Sequence, residues 1–374
     1  MLKNYSRLQN FFKNFAYSLI FGKSIVQKTF IVIAIILLVS IIVGAVILIA
    51  MGGTGKGAER SKKIKAGETV LISKDAGENW ERAAILKTFD VREIFLSQKN
   101  PGRVFILTKE NGIWFKERDS EEWKEMPSLK IKKRSPLYFM AEDRDNLYVS
   151  FYSDRRGRIV RYNLESGGEE EIYHTPLEGY GVYGIWPSDD GRVLRLISSD
   201  GGFYESVNHG YTWQVVYRFN EGLLGMTLAQ AKYILWVITS RGRILKTVNG
   251  GRSWDDISLG LKQFDKADKI ENLVFDAPSQ FLYLASGYGI LKSFSGTAQW
   301  EALPLLLPPE SLPIRDVRLD QTNSNIIYAG SKNQFYKSED SAKSWRIITL
   351  PTKRQISRIA VDLIDNKVIY IGLE

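Results

Sequence analysis

The stretch SKDAGENW at residues 73–80 decides the fold, because the chain repeats it. It returns as SVNHGYTW at 206–213 and TVNGGRSW at 247–254, with looser copies SFSGTAQW at 293–300 and SEDSAKSW at 338–345. A shortened copy, FKERDSEEW, ends at Trp123. The tryptophans that close these copies are 41 to 46 residues apart, except for one gap of 90 that holds two units. The unit without a Trp lies near residue 168, where RIVRYNLESGGEEEIYH keeps a strand, a Gly-rich turn and a strand.

Each copy has the chemistry of a β-hairpin. A Ser or Thr ends one strand, an Asp or Asn side chain accepts backbone N–H groups across the turn, and Gly supplies a positive φ. The Trp begins the next strand and packs beside the turn. The residues expected to form these structural turns are Ser73, Asp75, Gly77, Trp80, Ser206, Asn208, Gly210, Trp213, Thr247, Asn249, Gly251, Trp254, Ser293, Trp300, Ser338, Asp340 and Trp345.

Seven units with a period of about 44 residues predict an all-β, seven-bladed β-propeller of four short strands per blade over residues 67–374. The final strand pattern, VIYIG at 368–372, has no turn motif after it, and the first motif has no such strands before it. We therefore expect residues 357–372 to complete the blade that residues 67–85 begin. This arrangement closes the ring and removes its exposed edges.

The repeated pattern resembles the Asp-box (BNR) repeat, S-x-D-x-G-x-x-W, of sialidases, sortilin-type (Vps10) receptors, some endoglucanases and photosystem II assembly factors. The resemblance covers residues 67–374 and implies a propeller, with the boxes at its periphery and away from the central channel. Resemblance to the photosystem II assembly factors implies seven blades and a chaperone-like binding role. Sortilin-type receptors are less similar, because they have about ten blades, Cys-rich modules and a C-terminal anchor.

Composition argues against most catalytic chemistry. The chain has no Cys and two His, so a thiol nucleophile, a His-based triad, a multi-His metal site and disulfides are not expected. The sialidase F/Y-R-I-P motif has as its nearest counterpart LPIR at 312–315, late in the chain and out of order. We predict a non-enzymatic protein without a cofactor or metal.

The positive charge of the chain is confined to one end. Residues 1–65 contain ten Lys and Arg and one acid, which leaves 41 basic and 41 acidic residues in 66–374. A neutral large domain has no overall field to attract a polyanion, so nucleic-acid binding is not expected.

A hydrophobic segment predicts a single membrane span at residues 29–51. From Phe30 to Met51 the chain has 22 residues without a charge, enough to cross a hydrocarbon core of about 30 Å. A cleaved signal peptide is the alternative, but the apolar run is longer than usual and no small-x-small cleavage site closes it. The span implies a localisation in the cell membrane, with membrane lipid as a partner.

The flanks of the span suggest its orientation. Five Lys and Arg precede it and five follow it, so the positive-inside count does not decide. Residues 1–28 read as a basic amphipathic segment on the cytoplasmic leaflet, with a disordered basic tail as the alternative. Residues 52–66, rich in Gly and Lys, read as a flexible tether to an extracytoplasmic propeller.

Two constellations are candidates for binding. Arg92, Arg315 and Arg358 each begin an innermost strand in three successive blades, with Glu93, Glu271 and Asp316 beside them. They form either a salt-bridged rim that satisfies itself or a spot that recognises an anion or carboxylate on a partner. The aromatic run Tyr180, Tyr183 and Trp186 is either core or channel lining, or a contact surface.

We therefore expect a membrane-anchored propeller that binds another envelope or membrane protein as a scaffold, receptor or assembly factor. The alternative is a carbohydrate-binding or glycoside-hydrolase-type propeller, with a glycan as its ligand. Two facing carboxylates in a cleft with exposed aromatics would favour the enzyme, and a rim without them would favour the binder.

Overall fold

A computed structural model describes residues 67–374, apart from residues 86, 118–119, 127–130, 133, 229–232, 306 and 308. Within this described part, no helix is long and apolar enough to cross a membrane. The predicted segment 1–28, the span 29–51 and the tether 52–66 lie outside the described residues.

The described chain forms seven antiparallel sheets of four strands each. The first strands of blades 1 to 7 are β3 (Val91–Leu96), β7 (Leu137–Glu142), β11 (Val182–Pro187), β15 (Leu223–Leu228), β19 (Ile270–Asp276), β23 (Asp316–Leu319) and β27 (Ile356–Val361). The second strands are β4 (Val104–Thr108), β8 (Asn146–Ser153), β12 (Leu194–Ser198), β16 (Leu235–Thr239), β20 (Phe281–Ser286), β24 (Ile327–Ser331) and β28 (Ile369–Leu373). The third strands are β5 (Ile113–Lys116), β9 (Arg156–Asn163), β13 (Gly202–Ser206), β17 (Ile244–Thr247), β21 (Ile290–Phe294), β25 (Gln334–Ser338) and β1 (Val70–Ser73). The fourth strands are β6 (Lys124–Glu125), β10 (Glu169–His174), β14 (Gln214–Arg218), β18 (Asp255–Asp256), β22 (Glu301–Ala302), β26 (Arg346–Thr349) and β2 (Glu81–Arg82). Two short 3₁₀ helices, Ser258–Gln263 and Pro309–Ser311, lie in the connections between blades 4 and 5 and between blades 5 and 6.

The ring closes within blade 7, as the sequence predicts. Its sheet has the order β2-β1-β28-β27, so the two ends of the described chain share one blade. Val70 pairs with Gly372 and Ser73 with Ile369 in an antiparallel register. The first strand of every blade contacts the first strand of the next, from β3 around to β27 and back to β3. The prediction of an all-β, seven-bladed propeller is confirmed.

The hydrophobic core lies between neighbouring blades. The second strands β4, β24 and β28 are buried at every residue, because both faces of a blade are covered. One cluster joins Leu71 and Ile371 of blade 7 to Tyr328 and Phe335 of blade 6. These strands are therefore continuous runs of apolar residues rather than alternating ones.

The repeated turns join the third and fourth strands. At 73–80, the Ser73 Oγ accepts the Gly77 N–H at 2.8 Å and the Asp75 Oδ1 accepts the Asn79 N–H at 2.8 Å. The turns at 206–213, 247–254 and 338–345 repeat both bonds at 2.9 to 3.0 Å. Hydrogen bonds from the turn, first from the Asn79 backbone N–H, lower the pKa of Asp75 from 3.8 to about 2. Bonds led by the Ser344 hydroxyl lower the pKa of Asp340 to about 2.

Two successive residues of each turn adopt a positive φ, whereas the sequence motif indicated a positive φ at its Gly alone. In the first turn they are Ala76 at +58° and Gly77 at +95°. At 293–300 the pair moves one residue earlier, to Ser295 and Gly296, and Ser293 bonds to the Thr297 carbonyl instead. The looser sequence of this copy therefore corresponds to a different turn.

The tryptophans pack against the preceding blade. Trp80 meets Phe335 edge-on at 5.1 Å, and Trp254 meets Phe203 at 5.5 Å. The Trp213 Nε1 donates to the carbonyl of Ile172 in blade 2 at 2.9 Å. Each turn thus fastens its own blade to its neighbour as well as closing a hairpin.

Candidate functional site: the channel mouth

A ring of β-bulges surrounds one mouth of the central channel. The first strands of blades 1, 2, 3, 4, 5 and 7 each slip register against the second strand at one residue near their start. In blade 6 two residues lie opposite Gly330: Asp316 pairs with it, and the Arg315 N–H donates to its carbonyl at 2.8 Å. Arg315 therefore occupies the position that corresponds to the bulge residue of the other blades. A bulge leaves one residue unpaired and re-aims its side chain. We call the seven residues at these positions the mouth ring: Arg92, Tyr138, Tyr183, Leu224, Glu271, Arg315 and Ser357.

One half of the mouth ring is charged and internally paired. The Arg315 Nη1 lies 2.9 Å from the Glu271 Oε2, and its Nη2 lies 3.1 Å from the Glu374 Oε1. The other oxygen of Glu374 receives the Lys109 Nζ at 2.7 Å. Burial alone would raise the pKa of Glu374, but Lys109 and then Arg315 outweigh it and hold that pKa below its usual range. Glu374 therefore remains a carboxylate that bridges two cations.

Arg358 lies one residue deeper than the mouth ring. Its Nε is 3.5 Å from the Glu93 Oε2, and 23% of its side-chain surface is exposed. Burial disfavours its charge, but the nearby Glu93 and Asp316 carboxylates outweigh this and raise the pKa of Arg358. Asp316 is fully buried and accepts the Ile359 N–H at 2.7 Å, so this inner layer is fixed in place.

The other half of the mouth ring is aromatic and apolar. The Arg92 guanidinium carbon lies 5.7 Å from the centre of the Tyr138 ring, and Tyr138 lies 4.7 Å from Tyr183. Burial, and next the neighbouring Tyr183, raise the pKa of Tyr138 to about 12, so its hydroxyl stays protonated. Leu224 follows with 46% of its surface exposed.

Arg92 joins the two halves. No ion pair to Arg92 occurs among the described residues, and its buried Nε has no hydrogen-bond partner there. Its contact is instead the face of Tyr138, at a distance where cation–π attraction operates. Arg92 is therefore the mouth cation with the most unsatisfied donor capacity.

The structure separates the residues that the sequence grouped together. Arg92 and Arg315 lie in the mouth ring, Arg358 lies below it, and Tyr180 lies in the connection before β11 rather than in the ring. Trp186 packs on Phe139 at 5.0 Å and against the apolar core of blades 3 and 4. The predicted turn residues lie at the ends of the third strands and in the connections to the fourth strands, at the opposite end of the blades from the mouth.

Sequence reasoning missed several mouth residues. Tyr138, Leu224, Lys109 and Glu374 carry no motif, and they reach the mouth through a bulge or a strand end. Within the described ranges, no group of three or more His, Asp or Glu side chains is placed to hold a metal ion. The arrangement can bind a ligand with one polar or charged part and one flat apolar part.

Comparisons with known proteins show the fold. No protein-family model matches the chain, and no curated protein matches it. The propeller is similar to the GH74 xyloglucanase from Xanthomonas campestris, with a TM-score of 0.62 and 15% identity over 76% of this chain and 51% of that one. It is also similar to YCF48 bound to D1 peptide, with a TM-score of 0.60 and 11% identity over 76% of this chain and 94% of that one. It is similar to YCF48 from Cyanidioschyzon merolae as well, with a TM-score of 0.58 and 13% identity over 76% of this chain and 95% of that one.

These neighbours differ in kind. The chain spans about half the length of the GH74 enzymes, whereas it covers nearly the whole of YCF48, a photosystem II assembly factor. The resemblance to sortilin-type receptors gains no support from the comparisons.

Proposed function

We propose that this chain is a non-catalytic propeller, anchored to a membrane by residues 29–51, that binds a protein partner at its mouth ring. In this proposal residues 1–28 lie on the cytoplasmic side, and the tether 52–66 carries an extracytoplasmic propeller. The repeated turns are Asp-box repeats with a structural role. The protein acts at the cell envelope as a scaffold, receptor or assembly factor.

The division of the mouth ring into a charged half and an aromatic half supports the proposal. Protein interfaces favour Tyr and Arg at their centre, because both bury a large surface and still offer directed donors. Arg92, Tyr138 and Tyr183 contact one another in sequence and meet this description. Leu224 extends it with exposed apolar surface.

The ion pairs made by the carboxylates at the mouth favour a binding protein over a hydrolase. A glycosidase needs one carboxylic acid with a raised pKa and a second carboxylate across the cleft. Glu93, Glu271, Glu374 and Asp316 each lie within 4 Å of an Arg or Lys, so each already has a cationic partner. These four residues therefore provide no pair of facing carboxylates without a cationic partner.

Site-specific photo-crosslinking in native membranes tests the proposal. A photoreactive amino acid at Leu224, with 46% exposure, should give a discrete crosslinked protein. The same group at Val248, with 57% exposure on the opposite face, is the matched control and should not. Arg92→Ala should weaken the Leu224 crosslink, since it removes the cation that lies over the Tyr138 ring. Equal crosslinking from both positions, or none from Leu224, would contradict a partner site at the mouth.

Carbohydrate binding is the second candidate, because Tyr138 and Tyr183 offer aromatic faces of the kind on which sugar rings stack. Isothermal titration of the full chain with glucan oligosaccharides tests it. Binding that is lost in Tyr183→Ala, together with an absent protein crosslink, would make the glycan the ligand.

A further inference from the structure

The chain enters the propeller on the same face as the channel mouth. Gly67, the first described residue, bonds through its N–H to the Ile85 carbonyl at 2.6 Å, and the Leu373 N–H bonds to the Thr69 carbonyl at 3.0 Å. These contacts lie where β1 begins and β28 ends, which is the end of blade 7 where β27 starts. The seven first strands start at the mouth, so Gly67 lies on the mouth face.

The two faces of the propeller carry opposite charge. Connections at the mouth face join second to third strands and blade to blade, and their described residues include 14 Lys and Arg against 11 Asp and Glu. Connections at the opposite face join first to second and third to fourth strands, and theirs include 8 Lys and Arg against 15 Asp and Glu. The neutral total of the domain therefore conceals a charge dipole along the channel axis.

Much of the positive charge on the mouth face is free to act on a partner. Six exposed cations there have no carboxylate of the described residues within salt-bridge distance: Lys87, Arg134, Arg241, Lys262, Lys332 and Lys353. They come from connections of blades 1, 4, 5, 6 and 7. Between them, Leu177 and Leu259 expose 61% and 59% of their surfaces on the same face. Basic side chains with interspersed apolar ones suit the headgroup region of an anionic bilayer.

We propose that the mouth face docks on an anionic lipid bilayer, with the acidic face turned away. This inference rests on the proposed anchoring, because the tether must bring the face to the surface. A flexible chain of 15 residues has a root-mean-square reach of roughly 20 Å. Residues 52–66 carry five Lys and Arg and one Glu, so the tether is attracted to the same surface. A partner at the mouth ring must then present its recognised segment close to the bilayer.

Single-cysteine labelling tests the orientation, since the natural chain has no Cys. Leu259→Cys and Val248→Cys place one dye on each face of blade 4, at matched exposures of 59% and 57%. The full-length protein is reconstituted in phosphatidylcholine–phosphatidylglycerol vesicles that contain acceptor-labelled lipid, and energy transfer is measured. A five-residue strand is about 17 Å long, so the Leu259→Cys dye should lie closer to the lipid by about that distance.

Charge dependence separates this inference from a simple tether effect. The difference between the two dyes should shrink in pure phosphatidylcholine and at about 1 M salt, where the Debye length is about 3 Å. Lys262→Glu, Lys332→Glu and Lys353→Glu together should shrink it in anionic vesicles, with the circular dichroism of the propeller unchanged. Equal energy transfer from both dyes in anionic vesicles, or a difference indifferent to lipid charge, would overturn the proposal. Failure of the protein to float with neutral vesicles would instead refute the anchor, and the mouth crosslink tests the partner separately.

Discussion

Deleting Ser357–Glu374 should unfold the propeller, because these residues provide β28 and nearly all of β27 in the closing blade. The deletion removes four aliphatic side chains that are at most 1% exposed: Ile359, Ile369, Ile371 and Leu373. Full burial of such a side chain stabilises a protein by about 1.5–3 kcal/mol, so these four account for about 6–12 kcal/mol. A typical domain has a net stability of about 5–15 kcal/mol. The loss is therefore comparable to the stability of the whole domain, before the newly exposed faces of blades 1 and 6 are considered.

Thermal melting and size-exclusion chromatography are the assays for this deletion. The matched control is a circular permutant that joins Glu374 to Gly67 by a short linker and opens the chain in the connection at 277–280, so that every strand is kept. The permutant should melt within a few degrees of the parent, and the deletion should aggregate or lose its cooperative transition. A deletion protein that stays monomeric and melts like the parent would refute ring closure as the source of stability.

Three further outcomes are expected from point substitutions in and beside the turns. Gly251→Ala should lower the free energy of unfolding in urea by about 1–3 kcal/mol, because φ is +94° and the new Cβ would lie 2.3 Å from a ring carbon of Phe203. The control substitution Ala342→Gly, at the equivalent position of another turn, should leave it nearly unchanged. The pKa values of Asp75 and Asp340 are about 2 in the folded protein, below the usual 3.8, so the stability that these carboxylates contribute is complete above about pH 4 and is lost as the pH falls towards 2. Replacing both Asp residues by Asn should therefore make the melting temperature fall less steeply between pH 4 and pH 2. An unchanged slope would contradict this. Trp300→Ala should cost about 3–5 kcal/mol, because the ring is 4% exposed and its Nε1 donates to the Ile257 carbonyl at 2.9 Å; a loss below about 1 kcal/mol would show that the blades repack around it.

The sequence predicts the architecture because its evidence is periodic. A hairpin motif that recurs every 44 residues, with one unit split between the two ends, is sufficient for seven blades and their closure. The same motif cannot reveal which blade it packs against. The contact of Trp213 with the Ile172 carbonyl, 41 residues earlier, exists only once blades 2 and 3 lie side by side.

The mouth ring was only partly predictable for a different reason. A bulge shifts register by one residue, and the local pattern of apolar residues around Tyr138 or Leu224 is equally compatible with an unbroken strand. The alignment of strand starts therefore identified Arg92 and Arg315 correctly as mouth residues. It wrongly placed Arg358 at the same position, because the bulge residue of blade 7 is Ser357. The charge dipole was missed because a net charge over 66–374 averages the two ends of every strand.

Closure through blade 7 also sets the order in which the protein can mature. Strand β1 is the first strand of the propeller to leave the ribosome, but its partner β28 follows almost 300 residues later. At about 5–20 residues per second, β1 waits for roughly 15–60 s with one edge unpaired. Six blades can assemble during that interval, while the seventh depends on the last strand to arrive. A nascent chain of this kind would need protection of β1 during translation, and a chaperone that recognises a single exposed strand would have its greatest effect before the final blade is complete.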